Sequence, residues 1–166
     1  PMPLIGHWKF DEGTGTTAAD LSGSGNTGTL TNGPIWTTGK INSALSFDGV
    51  DDHVDAGSNS LYNFTTPDFS VSAWIKPPLS GQKSWAVFVS RGVWPTDGWF
   101  FQVDDSANRN GLAFYTNNSG SPVATHSNSV LTLGQWNHVA FTGGPAGGTG
   151  TGTLYVNGSP VSVYAQ

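Results

Sequence analysis

The turn-forming residues decide what this chain can fold into. No apolar stretch holds a helical period for long before Gly, Pro or Asn interrupts it. What survives between the interruptions is alternation. Leu4, Gly6, Trp8 and Phe10 fall on one side of an extended segment, with Ile5, His7 and Lys9 on the other, which predicts a strand over 4–10. Phe69, Val71, Ala73 and Ile75 alternate with Ser70, Ser72, Trp74 and Lys76, and the bulk on both faces predicts a strand covered on both sides. Similar short runs predict strands near 43–47, 53–56, 85–91, 99–103, 112–115, 135–142, 153–156 and 161–164. Asp48-Gly49, Asp97-Gly98, Asn110-Gly111 and Asn157-Gly158 supply turn signals, because Asn, Asp and Gly tolerate the positive φ that tight hairpins require. The Gly- and Thr-rich segment 143–152 predicts a hairpin connection. Many short strands with regular punctuation give an all-β, antiparallel two-sheet sandwich or jelly roll. Alternation places Trp8, Phe47, Trp74, Val87, Phe101, Trp136 and Phe141 mostly between the two sheets or under covering loops, and Trp85 and Trp99 are expected to be buried within strands.

At 166 residues the chain is expected to form a single domain, 1–166, with length enough for a core. Only 10% of residues are charged, yet 36% are hydrophobic and 12% aromatic, which is not the composition of a disordered chain. The formal net charge of −5 leaves no basic face for a phosphate backbone, so nucleic acid is excluded as a partner. With no Cys there are no disulfides, thiolate metal sites or Cys nucleophiles. No apolar run reaches the roughly 18 residues of a membrane span.

Four segments carry a resemblance. They are Gly6-His7-Trp8-Lys9-Phe10-Asp11-Glu12-Gly13 with the Asp, Ser, Asn and Gly residues of 20–28; Ala44-Leu45-Ser46-Phe47-Asp48-Gly49-Val50-Asp51-Asp52-His53-Val54; Phe69-Ser70-Val71-Ser72-Ala73-Trp74-Ile75-Lys76; and Gln135-Trp136-Asn137-His138-Val139-Ala140-Phe141 with Leu154-Tyr155-Val156-Asn157-Gly158. In order and spacing these resemble the laminin-G-like group of the concanavalin A-like lectin/glucanase superfamily. The resemblance implies a concanavalin A-like jelly roll. It also implies a closing strand beyond the last hairpin, beside 4–10, that carries a carboxylate to a metal site. Gln166 precedes any such phrase, so the expectation is a C-terminally incomplete domain with an open sheet edge at 4–10 and self-association through it.

Glycoside hydrolysis needs two carboxyls flanking the scissile bond, about 5–5.5 Å apart for retention and wider for inversion. Related retaining enzymes carry Glu-x-Asp-x-x-Glu. Glu12 is the sole Glu of this chain, so no enzyme is expected. Asp48, Asp51, Asp52 and Asp55 are the densest acidic group, and a turn role is expected for them over a cation site. Segment 20–28 is the better calcium candidate. By resemblance, Asp20 and Asn26 supply side-chain oxygens and Gly23 and Gly28 supply carbonyls, the alternative being a solvated loop. His7, His53, His126 and His138 are dispersed, without zinc-ligand spacing. Among the seven Trp, Trp94 and then Trp36 lie at turns, where an indole is available to stack on a sugar, with Asp97 closing the Trp94 loop; packing within its own loop is the alternative for Trp94.

These residues favour a non-catalytic carbohydrate-binding or adhesion module of a secreted or cell-surface protein, with a glycan or another protein chain as partner. The rival is a structural subunit of an extracellular assembly, completed by a strand donated from a neighbouring chain.

Overall fold

In the computed structural model the chain is described for residues 3–64, 68–80, 83, 85–93, 96–104, 110–118, 121–128, 130–144 and 152–164. The fold is all-β, with no α-helix among the described residues and a short 3-10 turn at Ser60–Asn63. The chain divides into two compact units, Pro1–Tyr62 and Asn63–Gln166.

The first unit is built from short hairpins. Strands β1 (Thr17–Ala18), β2 (Gly28–Thr31) and β5 (His53–Asp55) form one antiparallel sheet, and β3 (Ile35–Thr38) and β4 (Ser43–Ser46) form a second. Segment 4–10 is not the strand its alternation predicts. It makes an isolated antiparallel bridge, Trp8 to Asp20, and Phe10 turns out of extended geometry at φ 58°. It bonds instead to the loop after β1: the His7 carbonyl accepts the Leu21 N–H at 2.8 Å, and the Trp8 indole donates to the Asn26 carbonyl at 2.8 Å.

The second unit contains two antiparallel sheets. One is four-stranded: β6 (Phe69–Ile75) beside β11 (Asn137–Gly143), then β12 (Thr153–Val156) and β13 (Ser159–Pro160). The other is five-stranded, in the order β14 (Val163–Tyr164), β10 (Ser121–Ser127), β9 (Gly111–Asn118), β8 (Asp97–Asp104) and β7 (Val87–Val93). Their inner faces meet ring on ring. Phe114 of β9 stacks on Phe141 of β11 with centroids 3.9 Å apart and planes 4° from parallel, and Phe69 packs against both. Trp99, Phe101, Leu112, Val139 and Leu154 complete this core, as the period-two pattern requires of facing sheets. Truncating a buried Phe here is expected to cost about 3–5 kcal/mol.

Several turn and burial expectations change. The Asn157-Gly158 turn forms as expected, with φ 51° and 82°, and joins β12 to β13. Asp97-Gly98 is instead inside β8, and Asn110-Gly111 stands at the start of β9. Phe101, Phe141 and Trp99 are buried, but Phe47 is 49% exposed just past β4 and Val87 is exposed at the end of edge strand β7. Trp85 is also exposed, and Trp8 and Trp136 are half-buried. The expectation that β6 is covered on both sides fails at Trp74, which is 45% exposed on the face opposite the core. Strand β8 is covered on both faces, buried at every position from Gly98 to Asp104.

Candidate functional site

Asp20 organises the loop expected to hold calcium. Its Oδ1 accepts the backbone N–H groups of His7 and Ser22, both at 2.9 Å. Its Oδ2 accepts the Ser22 hydroxyl at 2.8 Å and the Asn26 N–H at 2.9 Å. Burial acts to raise the Asp20 pKa, but the donors from Ser22, Asn26 and His7 outweigh it and hold the carboxyl well below the usual carboxylate range. Buried Asn26 is equally committed: its Nδ2 donates to the Ile5 carbonyl at 2.8 Å and its Oδ1 accepts from Asn59 at 2.9 Å. Gly23 supplies a left-handed turn at φ 88°, and Gly28 is paired with Ala18 in β2. Asp20 and Asn26 thus come together, but their side-chain oxygens already face protein N–H and O–H donors. Calcium coordination uses oxygen lone pairs, and a carboxylate accepting two donors on each oxygen has none left. As folded, the Asp20 carboxylate has no lone pair free for the ion; it serves as a hydrogen-bonded anchor that ties segment 5–7 to segment 20–26.

The acidic group around Asp48 behaves as a turn. Carboxylate oxygens of Asp48, Asp51 and Asp52 lie within 4.8 Å of one another. Asp48 Oδ1 accepts the Val50 N–H at 2.7 Å, Asp52 Oδ2 accepts the Asp48 N–H at 3.0 Å, and Asp55 caps Gly57 in the same way at 2.8 Å. Glu12 accepts the Ala19 N–H at 2.8 Å.

Of the expected sugar-contacting residues, Trp94 lies outside the described residues. Asp97 is exposed and paired with Arg91 across the β7–β8 hairpin. Trp36 sits in β3 beside Leu45 of β4, and its indole N–H donates to the Gly15 carbonyl at 2.9 Å. That bond fixes the ring at a shallow groove lined by Gly13, Trp36, Thr37, Thr38, Asn42 and Ser43. The groove combines an aromatic wall, short hydroxyl side chains and one amide, the chemistry that stacks on and hydrogen-bonds a polyol.

Two features escaped the sequence. His126 of β10 and Asp104 of β8 are fully buried with Nδ1 and Oδ2 3.0 Å apart, although 22 residues separate them. The intervening β9 brings them together, and no local spacing encodes that. Trp74 of β6 and His138 of β11 are direct cross-strand partners, with rings 5.2 Å apart in an edge-on arrangement. The register that joins them depends on two segments far apart in the chain.

The sequence profile of the concanavalin A-like lectin/glucanases superfamily matches residues 48–166. Among solved structures, the binding domain of Paraclostridial Mosquitocidal Protein 1 is similar with a TM-score of 0.72 and 16% identity, covering 98% of this chain and 40% of that one. An S-layer domain-containing protein from Clostridium thermocellum is similar with a TM-score of 0.56 and 26% identity, covering 96% of this chain and 71% of that one. This chain therefore spans well under half of the first of these structures. No curated protein matches it.

Proposed function

We propose that this chain, which belongs to the concanavalin A-like lectin/glucanases superfamily, is a non-catalytic carbohydrate-binding or adhesion module of a secreted or cell-surface protein. The observation that carries the reading is the Trp36 groove, where a pinned indole stands among Thr37, Thr38, Asn42 and Ser43. Likeness to a binding domain and to an S-layer domain-containing protein supports a surface-located binding role. A non-catalytic reading is supported by the single Glu and the lack of a Glu-x-Asp-x-x-Glu phrase in the sequence; Glu12 accepts the Ala19 N–H, and Asp48 and Asp52 accept N–H groups of their own turn. No described helix is long and apolar enough to cross a membrane.

The test is retention on a panel of glycans. The unaltered chain should be retained by at least one, and Trp36→Ala should weaken that retention while the fold, followed by circular dichroism, persists. Retention by none of the panel rejects the reading.

The S-layer likeness also supports the rival reading, a structural subunit of an extracellular assembly. Light scattering separates the two: a concentration-independent monomer that binds glycan favours the module, and growth into open-ended oligomers favours the subunit.

A further inference from the structure

The four-stranded sheet turns one face to the core and leaves the other with an unusual set of side chains. Its strands β6, β11, β12 and β13 contain no Lys, Arg, Asp or Glu. Antiparallel partners point to the same side, so the register decides what stands on the outer face. One cross-strand row is Trp74 and His138. The next is Ser72, Ala140, Tyr155 and Pro160. The large rings Trp74 and Tyr155 therefore stand on β6 and β12, on either side of β11, which places His138 and the small Ala140 between them. Two strand spacings and one two-residue step put Trp74 and Tyr155 about 12 Å apart, the length of an oligosaccharide rather than of a single sugar.

The Trp74 ring is held for contact. His138 meets it edge-on at 5.2 Å, and 45% of the residue's surface is open. The His138 backbone is itself fixed: its N–H donates to Asn157 Oδ1 at 3.0 Å, and its carbonyl accepts the Asn157 N–H at 2.8 Å. An aromatic face carries negative quadrupole charge and attracts the slightly positive C–H groups of a pyranose ring. The serine, tyrosine and imidazole groups around it donate and accept hydrogen bonds. A charged polymer finds no countercharge on these strands, whereas a neutral polyol needs none.

We propose that the outer face of this sheet, centred on Trp74 and His138 and extending to Tyr155 and Pro160, is a second glycan-binding platform for a neutral polysaccharide chain, separate from the Trp36 groove. The proposal rests on the carbohydrate-binding reading but assigns a different surface, so the two can fail independently.

The experiment measures retention of the full chain by cellulose, xylan, mannan and chitin, with oligomeric state followed by light scattering. Trp74→Ala should reduce retention of the bound polysaccharide by about tenfold, the scale of one lost stacking contact. Trp74→Phe should keep most of it, and His138→Ala should give an intermediate loss. Melting temperature should stay near that of the unaltered chain, because the replaced ring is half open. If Trp74→Ala and His138→Ala bind as the unaltered chain does, the platform is wrong while the Trp36 groove stands. If the unaltered chain binds none of the four, the neutral-polysaccharide platform is overturned, and the carbohydrate-binding reading is decided separately by the wider glycan panel. If it is instead a dimer that Trp74→Ala dissolves, the face is a contact between copies and the proposal is overturned. If Trp74→Phe loses binding as completely as Trp74→Ala, stacking is not what the face provides, and the proposal is likewise overturned.

Discussion

The Asp20 carboxylate accepts the His7 N–H at 2.9 Å across a chain separation of 13 residues. With its other three bonds it joins the beginning of the chain to the loop after β1. A carboxyl held below its ordinary range favours the folded state at every pH above its unfolded value, near 4, and that contribution fades as pH falls from there toward the folded value. Asp20→Asn should therefore melt below the unaltered chain at pH 7, and the gap should shrink as the pH is taken down from 4 toward 2. Parallel melting-versus-pH curves would remove Asp20 as the anchor. Because the carboxylate's lone pairs are occupied, adding calcium should leave the melting temperature of both chains unchanged. A calcium-dependent rise lost in Asp20→Asn would restore the metal reading.

Asp104 accepts from or donates toward His126 Nδ1 in the interior of the five-stranded sheet. Removing the carboxylate leaves a buried imidazole nitrogen short of its partner. Asp104→Ala should cost about 1–3 kcal/mol in urea unfolding, and Asp104→Asn, which keeps an oxygen acceptor, should cost less. Equal stability of Asp104→Ala and the unaltered chain would show that the pair contributes nothing.

Gly98 pairs with Gly92 across the β7–β8 hairpin at φ 101°, and a Cβ there would collide with the Arg91 carbonyl oxygen. Gly98→Ala should be destabilising by at least about 1 kcal/mol, through strain at positive φ and through the collision. Gly158 is also at positive φ, but a Cβ there meets nothing, so Gly158→Ala should cost less. Denaturant midpoints for the two variants test the order; a reversed order would contradict the packing at Gly98.

The local code of this chain was legible wherever one segment was enough. Alternation identified β6, β11 and β12, and Asn157-Gly158 made the turn it announces, because period-two burial and positive φ are properties of a few consecutive residues. The concanavalin A-like class followed from the same fragments taken in order. Which face of a strand is covered was not legible. Trp74 and Phe101 are both large rings within strands, and only the packing of sheet on sheet buries the second and opens the first. Segment 4–10 alternates as a strand should, yet its His7 N–H donates to Asp20 and it makes an isolated bridge in place of a ladder. The dispersed His126 became half of a buried pair because β9 carries β8 and β10 to either side of it. Composition and local pattern act over a few residues, so they determined the elements and the fold class. Register and layer packing act between segments distant in sequence, and those alone decided which side chains meet and which face the solvent.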